Sequence, residues 1–250
     1  MREHALKLSD IPQIWVYLSG NPLTALLLTL LAYQVGVWCY QRSKQHPFCN
    51  PVLIAVLLIA SFLLASGWSY QQYFAGAQFV HFLLGTATVS LAVPIYHGLQ
   101  AVQGRAGRML VLLLGALLAG GAIAIASSVG LANLLGLQPE LIHSLWAKSV
   151  TSPIAMGISE RIGASPTLTA IFAVITGILG AAMGTLLFNA MGLKRWWVRG
   201  FTIGLAAHGI GTARAFNVHP EAGRFASLGM GLHGVVGAVL IPLAYHLLMG

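Results

Sequence analysis

The chain has 250 residues, 57% of them hydrophobic and only 7% charged, with a mean hydropathy of +0.81. A soluble domain carries charge on about a quarter of its residues, so this composition excludes one and describes a polytopic membrane protein. The formal charge of +8 is carried by basic residues at the ends of apolar runs, with no basic stripe interleaved with aromatics. Nucleic-acid binding is excluded on that pattern, and positive-inside topology or anionic head groups account for the charge.

A spanning helix needs about 20 apolar residues. The N-terminal MREHALKLSDIPQ lacks the charged-then-apolar-then-small order of a cleavable signal, so the first span is expected to anchor itself. Residues 11–18, with Trp15 and Tyr17, read as an interfacial segment. The first span is predicted over 22–40, opened by Asn21-Pro22, and the second over 51–67, opened by Asn50-Pro51. In both, asparagine serves as N-cap and proline as the first helical residue. Cys39 and Cys49 make no CxxC or metal spacing and read as ordinary thiols. A third span is predicted over 79–99 with Pro94 inside it, a fourth over 109–135, another over 166–191 behind Ser165, and a last over 222–249. Stretches 145–163 and 200–217 are ambiguous.

Arg42 and Lys44, Arg105 and Arg108, and Lys194, Arg195 and Arg199 mark three basic connections, expected inside. The 67–78 and 134–144 connections hold no Lys or Arg and are expected outside. The chain then crosses an odd number of times between residues 140 and 195. The 166–191 span supplies one crossing, and 145–163 is too short to cross twice. That stretch is therefore expected to re-enter the membrane without crossing.

Its core, Lys148 to Arg161, reads KSVTSPIAMGISER and packs a lysine, four hydroxyls, a proline, a glutamate and an arginine among apolar runs. Ionisable groups in hydrocarbon cost several kcal/mol and persist where they line a cavity or meet a partner. Ser152-Pro153 reads as a helix start, so the element is a short helix beginning partway through the membrane with its free N–H groups facing a polar space. The alternative is a loop that follows a span. The second polar stretch, His208-Gly-Ile-Gly-Thr-Ala-Arg214, places an imidazole, a hydroxyl and a guanidinium within seven positions. Gly209 and Gly211 permit sharp backbone geometry and exposed N–H groups. Arg214 offers either a fork to a carboxylate or a side chain reaching head groups. His208 is either a proton carrier or a satisfied buried histidine. Glu160 is either a coupling group or the local partner of Arg161. The other histidines, His81, His97, His143, His233 and His246, lie singly on apolar segments and read as structural or interfacial. No HExxH or GxSxG accompanies these hydroxyls, so no catalytic residue, metal or cofactor is expected.

Gly180-Ala-Ala-Met-Gly184 is a GxxxG match, which serves internal helix contacts or a homo-oligomer. The predicted fold is an all-α, polytopic membrane helical bundle with broken or re-entrant helices. It forms one domain over 1–250: an N-terminal interfacial segment at 1–20, a first helical half at 21–135, and a second half at 145–250 that holds both polar motifs. Those two motifs are compatible with corresponding elements of two inverted structural halves.

The segments KSVTSPIAMGISERIGASP, ITGILGAAMG, AAHGIGTARAF and EAGRFASLGMGL together resemble the LrgB/CidB family of bacterial membrane proteins, over about residues 20–250. Where that family often has two threonines before the proline, this chain has Thr151-Ser152, which keeps the hydroxyls. The resemblance implies a multi-pass protein of the bacterial cytoplasmic membrane and a small LrgA/CidA-type membrane partner. Two roles follow from it: modulation of murein hydrolase activity and lysis, or transport of small organic acids such as pyruvate and glycolate. Combined with the residues, it points to a small carboxylate bound by Lys148, Ser149, Thr151, Ser152, Pro153, Gly209, Gly211, Thr212 and Arg214, with Glu160 or His208 carrying a coupling ion.

Overall fold

The computed structural model describes residues 21–46, 49–90 and 106–249, with 92, 93, 96 and 100 between them. The interfacial reading of 11–18 and Pro94 both lie outside these residues. The long elements are α1 (Pro22–Arg42), α2 (Pro51–Ser66), α3 (Tyr70–Ser90), α4 (Ala106–Leu134), α5 (Pro139–Ser144), α6 (Ser152–Arg161), α7 (Pro166–Ala190), α8 (Trp196–Val218) and α9 (Pro220–Met249), and no strand occurs among the described residues. Among the described residues four stretches are long and apolar enough to cross a membrane: α1, Met109–Leu134 of α4, α7 and α9. The chain is an all-α polytopic membrane protein. It divides into two compact units after Leu84.

In the first unit the predicted caps form. Asn21 Oδ1 accepts from the Leu23 N–H at 3.0 Å, and Asn50 Oδ1 accepts from Val52 at 2.8 Å. Gly67 ends α2 in the left-handed conformation at φ 72°. The 67–78 stretch, expected as a connection, is helical from Tyr70. The reason is a capping box: Gln72 N–H donates to Ser69 Oγ at 3.2 Å while Ser69 N–H donates to Gln72 Oε1 at 3.0 Å. Thr29 and Tyr73 hydroxyls share a hydrogen bond of 2.7 Å between α1 and α3, above a small core of Ala25, Trp68 and Ala77.

In the second unit α4, α7 and α9 are the crossing helices, and two elements enter between them without crossing. The first is a hairpin of α5, a turn over 145–151, and α6. Thr169 Oγ1, in the first turn of α7, donates to the Ser144 carbonyl at 3.1 Å and shares a 2.8 Å bond with Ser159 Oγ. This pins the end of α5 and the last turn of α6 to the start of α7. Both arms therefore open on the same side, as the odd-crossing argument requires.

The second hairpin is α8. Its backbone breaks at Ala207 (φ −126°, ψ 15°) and His208 (φ 40°, ψ −131°). Its two ends come back together: the Trp196 indole stacks on the His219 imidazole, and Trp196 and Phe188, near the far end of α7, pack against one buried cluster. Stretch 200–217 therefore re-enters, from the end of α7 opposite to the first hairpin. Glycine makes this packing feasible. A Cβ on Gly200 or Gly204 would overlap the carbonyl oxygens of Ala222 and Ala226, so the ascending arm lies directly on the α9 backbone. A Cβ on Gly180 would stand 2.5 Å from the Ala207 Cβ, so α7 seats the tip.

Candidate functional site

The two hairpin tips are anchored to one stretch of α9. At the first tip, the space above Gly237 is bounded by Val150 at 3.4 Å, and above Gly234 by Ile154 at 2.9 Å. At the second, Gly209 faces the Met230 sulfur at 3.9 Å, and Thr212 Oγ1 donates to the same sulfur at 3.8 Å. Residues 230–237 span roughly 10 Å of helix, so the tips sit within two turns of each other near the middle of α9.

Each tip presents a helix N-terminus. α6 begins at Ser152 with Thr151 as its cap residue, one position earlier than expected, because Thr151 holds the extended conformation (φ −58°, ψ 138°) and Ser152 is already helical. The Thr151 hydroxyl does not bond to its own helix; it is buried with no hydrogen-bond partner among the described residues. Ser149 is buried beside it, and Lys148, Ser152 and Pro153 are half-buried. At the second tip the descending arm of α8 starts at Gly209, which is exposed. Its first N–H groups, like those of α6, lack partners within the helix, and each such end carries about half a positive charge.

His208 makes the turn. Its φ of 40° lies where L side chains are strained by about 1–3 kcal/mol. The ring is buried, and because a carbonyl only accepts, Nε2–H donates to the Ala173 oxygen of α7 at 2.8 Å. Gly177 leaves room for it, since a Cβ there would be 2.8 Å from His208 Cε1. Gly211, buried, is held between Ala207 and the Ile203 carbonyl.

The structure thus gathers Lys148, Ser149, Thr151, Ser152 and Pro153 at one tip, and His208, Gly209, Gly211 and Thr212 at the other. Arg214 and Glu160 are not with them. Arg214 lines a small space with Arg199, Trp196 and Phe188 toward the open end of the second hairpin. Glu160 is exposed at the far end of α6, roughly 12 Å of helix from its start. Sequence reasoning missed Met230, which meets the second tip, and the placement of the first tip over Gly234 and Gly237. The glycine run 229–237 was their visible signal. No group of three or more His, Cys, Asp or Glu suited to a metal occurs among the described residues.

The LrgB-like family profile matches residues 29–247. The holin-like protein CidB of Staphylococcus epidermidis is 31% identical over 217 residues, covering 87% of this chain and 93% of its own length. The holin-like protein CidB of Staphylococcus aureus is 30% identical over 88% of this chain and 94% of its own. A Haemophilus influenzae protein is 30% identical with the same coverage. No solved structure matches the chain. With the profile covering most of the chain and the fold built of membrane-crossing helices, this is a membrane protein of the LrgB-like family.

Proposed function

We propose that the protein transports a small monocarboxylate of the pyruvate or glycolate type, bound between the two hairpin tips. The observation that carries this reading is that two helix N-termini pack on residues 230–237 of α9, and that the buried Thr151 hydroxyl at one of them has no partner among the described residues. Two N-terminal ends favour an anion, and a hydroxyl with no internal partner is available to it. Ser149, Thr151 and Ser152 on one side and the N–H groups of 209–212 on the other bind the carboxylate and its neighbouring oxygen. Lys148 supplies charge at the tip. Arg214 and Arg199 hold positive potential on the path from the open end of the second hairpin, and His208 carries the coupling proton at the break. Transport proceeds with a small LrgA/CidA-like partner in the bacterial cytoplasmic membrane.

Purified protein in liposomes tests this by uptake of radiolabelled pyruvate and glycolate. The expected result is saturable uptake that Thr151→Val reduces tenfold or more, the worth of one hydrogen bond to a charged group at about 1.5–3 kcal/mol. Absence of uptake of any small acid overturns the reading. The holin-like names of the staphylococcal relatives favour a second reading, a pore or pore modulator acting in lysis. That reading predicts release of a trapped dye from the same liposomes, without saturation and with no effect of Thr151→Val.

A further inference from the structure

A cavity of about 220 Å³ lies between α4 and α9, apart from the tips, none of whose residues lines it. Its walls are Leu117, Leu118, Gly121 and Ile125 of α4 and Val236, Leu240 and Ile241 of α9, among others, and one polar side chain, His233, completes them. Leu118 and Leu240, 51% and 40% exposed, place its mouth on the outer, lipid-facing surface.

His233 is 5% exposed, and its ring is oriented by two lining glycines. A Cβ on Gly121 would stand 3.5 Å from Cε1, and one on Gly237 would stand 3.4 Å from Cδ2. His233 lines the chamber and Nδ1 is buried, so Nε2, between those carbons, is the ring nitrogen left to face it. Nδ1, bonded to the other side of Cε1, is buried with no partner among the described residues. An apolar chamber with one imidazole nitrogen aimed into it is poorly matched to its surroundings: a lipid acyl chain fills the volume but leaves the nitrogen unpaired, and isolated water finds too few partners.

We propose that this cavity binds a small uncharged organic molecule with an apolar body and a single hydroxyl or carbonyl oxygen, entering from the bilayer and hydrogen-bonding to His233. An engineered cavity of about 150 Å³ holds benzene, so this one suits roughly eight or nine heavy atoms. The proposal does not rest on the carboxylate reading, although Gly237 borders both the first tip and this cavity.

The test uses the full chain in lipid nanodiscs and 4-fluorophenol followed by fluorine NMR. The expected result is a saturable bound population, displaced at least tenfold more effectively by p-cresol than by p-xylene, which has the same shape without the hydroxyl. His233→Phe abolishes that preference, and Ala122→Phe, which fills the cavity, abolishes binding. Ala244→Phe fills the opposite wall and replaces Ala122→Phe should that variant fail to fold. Partitioning that never saturates, equal displacement by the two competitors, or binding unchanged in a folded cavity-filled variant overturns the proposal.

Discussion

Trp196 and His219, at opposite ends of α8, stack with ring centroids 4.7 Å apart and planes inclined by only 7°. A helix of 23 residues run straight would separate them by about 34 Å. The stack is thus a direct statement that this element turns back within the membrane. Nitroxide labels at the exposed Arg195 and Val218 are expected to lie within about 20 Å by pulsed electron resonance. A separation near 34 Å would mean that the element crosses.

The ascending arm of that hairpin depends on glycine where it touches α9. Gly204→Val forces a branched side chain into the Ala226 carbonyl. The expected loss is about 3 kcal/mol, the upper range for overpacking, read as a lower unfolding temperature in detergent. Gly107, which has nothing within 4 Å, is the control, and Gly107→Ala is expected to leave that temperature unchanged.

His208 separates strain from chemistry. His208→Ala removes the bond to Ala173 and keeps the strained φ, whereas His208→Gly removes the bond and relaxes the backbone. The glycine variant is expected to be more stable than the alanine variant by about 1–2 kcal/mol. Both are expected to lose proton-coupled uptake. A glycine variant that transports like the wild type would reduce His208 to a structural turn.

Thr169 ties the first hairpin to α7 through Ser144 and Ser159. Thr169→Val keeps the shape and leaves two buried groups with one partner fewer, at an expected cost of about 1–3 kcal/mol. Hydrogen exchange of α6 amides is expected to rise more than that of α9.

Much of this architecture was legible because it rests on local chemistry. Asn21-Pro22, Asn50-Pro51 and Ser165-Pro166 each start a helix in the expected place, and Ser165 Oγ accepts from Leu168 N–H. The re-entry of 145–163 followed from counting charges. The start of α3 was missed because the Ser69–Gln72 capping box sits in a polar stretch that hydropathy alone reads as a connection. The hairpin in α8 was left open because no proline marks its break; His208 turns the chain there, and contacts with α4, α7 and α9 hold it. Arg214 and Glu160 lie five and eight residues beyond the tips in sequence, but helical rise carries them about one and a half and two turns away. The role of His233 was invisible in the sequence, since it depends on which glycines face its ring.

The proposed transport site requires that both tips face one aqueous space at the middle of the membrane. Replacing Cys39 and Cys49 by serine and introducing single cysteines for Ser149 and for Gly209 allows labelling with a membrane-impermeant thiol reagent in liposomes. Both positions are expected to react, and glycolate is expected to protect both. Two unreactive cysteines, or labelling that glycolate leaves unchanged at either tip, would contradict the proposed site.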